Sequence, residues 1–333
     1  MGLTPKETKP MADVKVAVRL DGLMRPGPVN PALMRKTLAK AASMGVQAVE
    51  LCGRKCVPVS DLSDTAVRSL RKMLDDLNLR VAAIRFQTRQ GYDRLEGLER
   101  RVDATKQAMR AAYRLGAPVV VNQIGKVPAP PEKSASEAKP LLGLDAEARD
   151  PTSGGAEASL RRIELAGAGD LAAMEHFAKG LGTEGPSEAW DTLQSVVADL
   201  GKFGAHVGAN LAAETGTEPG ADLAALLRSV DDAYLPVTLN PGKLIVNQFS
   251  VSDAIDALSD RIQLVAAVDG VMDLAAGRGI TVPVGQGTTD FPWLLGRLED
   301  IPYRGDFVIG RDAMSPSTAE SEMQQGVDYL RNL

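Results

Sequence analysis

The chain has 333 residues, 44% of them hydrophobic, 24% charged, and a formal net charge of −5 at pH 7. That apolar fraction excludes a disordered chain, the acidic balance argues against nucleic acid as a partner, and no apolar run approaches the ~20 residues of a membrane helix. Its two cysteines, Cys52 and Cys56, make neither a disulfide framework nor a C-x-x-C motif.

Residues 1–13 read as a flexible polar tail. The opening MGLTPKETKPMADVKV lacks the apolar stretch of a secretory leader, so the expected setting is the reducing cytoplasm. VKVAVRL predicts a first strand ending near Arg19 and Asp21. A helix follows over NPALMRKTLAKAASMG, with Asn30 as N-cap, Pro31 at the first helical position and Gly45 closing it. VQAVELCG is the second strand and SDTAVRSLRKMLDDLN the second helix, its apolar residues at helical spacing. RVAAIRFQ and RLEGLERRVDATKQAMRAAYRLG repeat the cycle, and APVVVNQIG has the near-continuous apolar centre of a strand buried on both faces.

The regularity breaks between about 126 and 187. PAPPEKSASEAKP and DPTSGGAEAS are rich in Pro, Ala, Ser, Gly and Glu and read as a long insertion after the fourth strand. A segment in that place emerges at the carboxyl ends of the strands, either as a cover over a pocket or as an unstructured excursion. SEAWDTLQSVVADLGKFGAHVG resumes the helical pattern, capped by Ser187. Four more strands then stop at polar residues: GANLAAETG at Glu214, PVTLNPGKL at Asn240, IQLVAAVDG at Asp269, and YRGDFVIGRD at Gly310, Arg311 and Asp312. Strands alternating with helices predict a parallel sheet with right-handed crossovers. Eight such units predict one α/β domain over residues 14–333, a single (β/α)8 barrel whose chemistry sits at the carboxyl ends of its strands.

Those ends supply the candidate site. Glu214 follows an apolar run, a costly place for a carboxylate that is neither paired nor functional. Arg19, Glu50, Arg85, Gln87, Asn122 and Gln123 converge at the same mouth if the strands run as predicted. Arg85 and Arg89 offer paired donors to an anionic substrate group; equally, they could pair with Glu50 or Glu214 and neutralise the barrel top. Asn240 begins Asn-Pro-Gly, a turn signal in its own right. The two histidines, His176 in the insertion and His206 at a helix end, form no metal cluster.

In order and wording these segments resemble the xylose isomerase-like barrel family of sugar and sugar-phosphate isomerases and epimerases, from about Val14 onward apart from the insertion. In that family, four strand ends supply Glu, Asp, His and Glu to one divalent metal, Mn or Mg. The matching positions here are Glu214, Asn240, Ala266 and Gly310, so one ligand of four remains and no metal or other cofactor is expected. NPGK stands in place of Asp-Pro-Gly-His, which puts Lys243 where the family has a substrate-contacting His. Asp269 is retained, as a substrate contact or as the cap of its turn, with Met272 at the position of a frequent Arg. Gly285 and Gly287 fall in the Gly-x-Gly segment ahead of the last strand.

The resemblance therefore implies a sugar or sugar-phosphate isomerase or epimerase acting on a small carbohydrate-like ligand. Without metal, Glu214 would be the base, its pKa raised by a dry pocket, and Lys243 or Arg311 would stabilise an enediolate. Asn240, Asp269, Arg85, Gln87, Gln123 and Arg311 would bind substrate. The alternative, motivated by three lost ligands on three strands, is a non-catalytic relative that binds a ligand or a partner protein. An endonuclease-like activity on the same barrel is disfavoured by two histidines and the negative charge.

Overall fold

A computed structural model describes residues 14–24, 29–131, 186–230, 233–273, 278–301, 303–312, 314–315 and 317–333. The chain divides into two compact units, Met1–Pro130 with Ala189–Leu333, and Pro131–Glu188. The first of these is the barrel. Most of the expected insertion at 126–187 lies outside the described residues, together with its part as a lid, His176, and the tail at 1–13.

Eight parallel strands close the barrel. In chain order the described strands are β1 (Val16–Arg19), β2 (Ala48–Cys52), β3 (Arg80–Arg85), β4 (Val119–Asn122), β5 (Asn210–Glu214), β6 (Val237–Leu239), β7 (Ile262–Ala267), β8 (Asp269–Asp273), β9 (Arg278–Val282) and β10 (Phe307–Ile309). Around the barrel the order is β1-β10-β7-β6-β5-β4-β3-β2, and β8 and β9 form a separate two-stranded sheet. Helices α1 (Leu20–Leu23), α2 (Pro31–Ser43), α3 (Asp64–Asp75), α4 (Leu98–Leu115), α5 (Pro186–Val207), α6 (Gly220–Arg228), α7 (Pro241–Val246), α8 (Val251–Leu258), α9 (Phe291–Asp300) and α10 (Ala319–Arg331) surround it. None is long and apolar enough to cross a membrane.

Local chemistry sets most boundaries. The Asn30 side chain accepts from Leu33 N at 2.8 Å, with Pro31 opening α2, and Gly45 leaves the helix at φ +79°, both as the sequence predicts. Ser63 caps α3 by accepting from Ala66 N at 3.2 Å. Helix α5 already begins at Pro186, so Ser187 lies in its first turn instead of capping it. The expected strands are all present, shorter by a residue or two where their polar ends turn into loops.

Two apolar layers result. The larger lies between strands and helices and holds Val18, Leu51, Ile84, Leu211 and Phe291. The smaller fills the barrel itself: Ala17, Ala48, Ala82, Ala83, Val119, Val121, Ala212, Leu264 and Val308. Side chains alternate faces along a strand, so the residue two beyond an interior one also points inward. Counting two from Ala17, Ala48, Ala83, Ala212, Leu264 and Val308 gives Arg19, Glu50, Arg85, Glu214, Ala266 and Gly310. The barrel's period therefore places every one of these positions in a single layer at its mouth.

The β8–β9 hairpin is the main departure from the predicted elements. Its antiparallel register pairs Asp269 with Val282 and Asp273 with Arg278. The two stretches, DGVMD and RGITV, are too short and too weakly alternating to be distinguished in sequence from loop.

Candidate functional site

Glu214 ends β5 with its side chain fully buried, and six contacts from four residues reach its two oxygens. Arg85, from the end of β3, donates Nη1 and Nη2 to Oε1, both at 3.2 Å, and Nη2 to Oε2 at 3.1 Å. Gln87 Nε2 reaches Oε2 at 3.0 Å, Asn240 Nδ2 reaches Oε1 at 2.8 Å, and Lys243 Nζ lies 2.9 Å from Oε2. Burial alone would push the Glu214 carboxyl up. The charge of Arg85, then of Lys243, and hydrogen bonds from Arg85 and Asn240 more than offset it, and hold the group well below the usual carboxylate range. The raised pKa expected from the sequence is therefore reversed: the surrounding cations and amides favour the ionised form of Glu214.

Asn240 combines both of its sequence readings. Its Oδ1 accepts from Lys243 N at 3.0 Å and caps α7, while its Nδ2 faces Glu214. Capping α7 in this way aims Lys243 at the same carboxylate.

A second cluster adjoins the first. Arg19 Nε lies 3.5 Å from Glu50 Oε2 and 3.7 Å from Asp21 Oδ1, and Arg19 Nη1 donates to Asp312 Oδ1 at 2.8 Å. Asp312 is also 3.7 Å from Arg85 and 3.8 Å from Lys243. Four cations, Arg19, Arg85, Lys243 and, 3.6 Å from Asp21, Lys55, thus face three carboxylates, Asp21, Glu214 and Asp312, and Glu50 is the remaining acid. Burial pushes the Glu50 carboxyl up to about 7, against the pull of Arg85 and Arg19 and with a further push from Glu214. Its Oε2, together with Arg19 Nε and Arg85 Nε, is buried without a hydrogen-bond partner.

Arg19, Glu50, Arg85, Glu214, Lys243 and Asp312 line one cavity of about 20 Å³, with Asn240, Ala266, Val268, Thr281, Val308, Gly310 and Arg311 completing its wall. That volume holds about one water. Arg311 contributes its stem, while its guanidinium forms a two-pronged pair with Glu322 of α10 at 2.7 and 2.9 Å.

Other expected site residues sit elsewhere. Asp269 does not line the cavity. Its oxygens accept backbone N–H groups of Gly270, Gly285, Gly287 and Thr289 at 2.8–3.2 Å, which ties the 285–289 loop to the hairpin. A Cβ on Gly287 would lie 2.3 Å from Asp269 Oδ1, so the glycine is there for close approach. Gln123, half-buried just past β4, is not part of the cavity wall. Asn122 donates to Thr88 Oγ1 and Tyr92 OH at 3.0 and 2.9 Å, Arg89 is exposed, and His206 is exposed in the last turn of α5. Burial pushes the Cys56 thiol up, which leaves it a poor nucleophile.

Nothing in the sequence singles out Glu218, yet it is buried in the loop after β5. Its Oε2 accepts from Thr217, its Oε1 has no partner, and burial pushes the carboxyl up to about 8. Because that value exceeds the ordinary 4.5, the folded chain retains a proton the unfolded chain has lost, and stability falls as pH rises from about 4.5 to 8. Glu50 contributes to the same fall only up to about 7. Glu218→Gln should therefore flatten the stability profile between pH 7 and 8 in urea titrations; an unchanged slope there would assign the ionisation cost to another group.

The donor set does not fit a four-ligand divalent centre. Of the positions Glu214, Asn240, Ala266 and Gly310, two have no side-chain donor. The Glu214 oxygens are already covered by a guanidinium, an ammonium and two amides. At Gly310, φ is +137° and a Cβ would lie 2.7 Å from Arg19 Cβ, so the Arg19 side chain occupies the space a fourth ligand would need.

A closed eight-stranded parallel barrel, with acids and bases converging at the carboxyl ends of its strands, defines a (β/α)8 barrel. The sequence pattern of the xylose isomerase-like TIM barrel family matches residues 38–333, and the chain belongs to that family. No curated protein matches the sequence. Solved structures with the same fold include a xylose isomerase domain protein of Planctomyces limnophilus, 16% identical with TM-score 0.65 and 97% of each chain covered. A xylose isomerase-like barrel of Mycobacterium smegmatis in complex with magnesium is 17% identical, with TM-score 0.61 and coverage of 96% of this chain and 97% of that one. The 3-keto-D-glucoside 4-epimerase of E. coli is 12% identical, with TM-score 0.61 and 96% and 100% covered. At these identities the likeness concerns the fold.

Proposed function

We propose that the barrel mouth binds a small carbohydrate-like ligand and moves a proton next to its carbonyl, as a sugar isomerase or epimerase does, without a bound divalent metal. The observation that carries this reading is the pairing of two buried carboxyls with opposite tendencies, Glu214 held ionised and Glu50 pushed up to about 7. Two acids whose environments drive them apart divide into a fixed charge and a proton carrier. Glu50 takes the proton from the carbon beside the carbonyl, and the electron pair left behind forms an enediolate. Lys243 and Arg85 stabilise the developing negative oxygen from fixed positions. Returning the proton to the neighbouring carbon, while the hydroxyl proton passes from one oxygen to the other, gives an isomer; protonation by water on the opposite face, with the protonated Glu50 neutralising the hydroxide left behind, gives an epimer. Glu214 orients both cations, and Asn240 and Gln87 fix its carboxylate.

A cavity of about 20 Å³ does not admit a sugar ring, so the walls must part on binding. A second reading, motivated by the positions Ala266 and Gly310 that carry no side-chain donor, is that the site binds a ligand without turnover. Incubating the protein with aldoses and ketoses in D2O and following C–H loss by NMR separates the two. Deuterium entry beside the carbonyl supports proton transfer; saturable binding with no exchange supports the non-catalytic reading; neither would refute both.

A further inference from the structure

Three cations, Arg19 and Arg85 at the ends of β1 and β3 and Lys243 in α7 after β6, converge on the carboxylate of Asp312 at 2.8, 3.7 and 3.8 Å. Arg19 and Arg85 are buried, and Lys243 has only 17% of its side chain exposed. Asp312, by contrast, lies just past β10 with 58% of its side chain exposed. A half-exposed loop carboxylate thus fills the centre of a buried cationic cluster. We propose that this cluster is the binding site for an anionic group of the ligand, a carboxylate or a phosphate, and that Asp312 occupies it until the ligand arrives. The inference rests on the carbohydrate reading above and narrows it to sugar acids or sugar phosphates.

Charge and geometry support the exchange. With Asp312 withdrawn, Arg19, Lys55, Arg85 and Lys243 face Asp21, Glu50 and Glu214, which leaves one uncompensated positive charge for an incoming oxyanion with Glu50 ionised, as its part as base requires. Two buried donors are already without partners, Arg19 Nε and Arg85 Nε; a planar carboxylate or a phosphate can accept from guanidinium edges in pairs. Asp312 follows Gly310 at φ +137°, outside the apolar core, so its departure disturbs no packed side chain and opens the cavity beside Arg311 and Thr281. The carboxylate in place acts as a tethered competitor, lowering the apparent affinity by the fraction of time it occupies the site.

The test is isothermal titration of the full chain with D-glucose 6-phosphate, D-gluconate, D-glucose and inorganic phosphate, for wild type, Asp312→Asn and Lys243→Met. The phosphate ester or the acid should bind at least tenfold more tightly than glucose, and comparison of the two identifies which anion the site takes. Asp312→Asn should tighten anion binding about tenfold, corresponding to ~1.4 kcal/mol, and leave glucose unchanged. Lys243→Met, which removes a cation while keeping the stem, should weaken anion binding by a similar factor. Glucose binding as well as its phosphate, or anion affinity that falls in Asp312→Asn, would overturn the proposal while leaving the carbohydrate reading intact. Inorganic phosphate binding that responds to both variants, with no carbohydrate bound, would support the anion site and remove the carbohydrate reading.

Discussion

Replacing Arg85 by methionine is expected to lower the folding free energy by about 3–5 kcal/mol, the cost of leaving a buried charge without its partner. Arg85 supplies three of the hydrogen bonds to Glu214, and both side chains are at most 6% exposed. Methionine fills much of the stem's volume but gives the carboxylate nothing. Lys243, Asn240 and Gln87 cannot close around the vacated side. Urea titrations at constant slope measure the loss. The double variant Arg85→Met with Glu214→Gln should recover a substantial part, because the stranded charge has gone, and the difference from additivity reports the coupling. By contrast, removing the exposed Lys72–Asp76 pair on α3 should cost no more than ~0.5 kcal/mol. A loss at Arg85 no larger than that would show the site to be solvated.

Glu50→Gln is expected to slow deuterium exchange by about 10²- to 10⁴-fold, the range of a lost general acid–base group. In wild type the exchange rate should rise with pH and level off above about 7, because only the ionised form accepts a proton and burial sets its value there. The variant should lack that inflection. Stability gives the check against a merely structural role. A carboxyl whose folded pKa lies above the ordinary 4.5 stabilises the fold less as pH rises through that window. Glu50→Gln should therefore fold at least as stably as wild type near pH 7. Loss of exchange together with loss of folding would assign Glu50 to structure.

The sequence carried the barrel because apolar runs alternate with helical patterns and several helices open on a recognisable cap. Asn30 with Pro31, Ser63, and Asn240 with Pro241 mark βα junctions by chemistry that acts within a few residues. The alternation of strand faces also fixes Glu214 and Arg85 at the mouth, whereas Asn240, Lys243 and Gln87 lie past their strands and Lys243 is singled out by the family resemblance. What the sequence could not carry is the sign of the Glu214 shift. A dry pocket raises a carboxyl and two adjacent cations lower it, and only distances decide between them. Asp269 shows the same limit: its four backbone donors come from residues up to 20 positions away, in a loop whose path no local pattern reveals. Glu218 and the central place of Asp312 depend on contacts of this kind. Gly310, by contrast, was visible as a missing carboxylate, but the reason that a side chain does not fit there is Arg19, nearly 300 residues earlier.

The central claim is that Arg85 and Lys243 take the place of a divalent ion beside Glu214. Its most direct test is the deuterium exchange rate of one preparation measured as purified, after exhaustive chelation, and after manganese is added back. The arrangement predicts the same rate in all three, because the positive charge at the site is covalently part of the chain. Exchange that disappears on chelation and returns with manganese would contradict it.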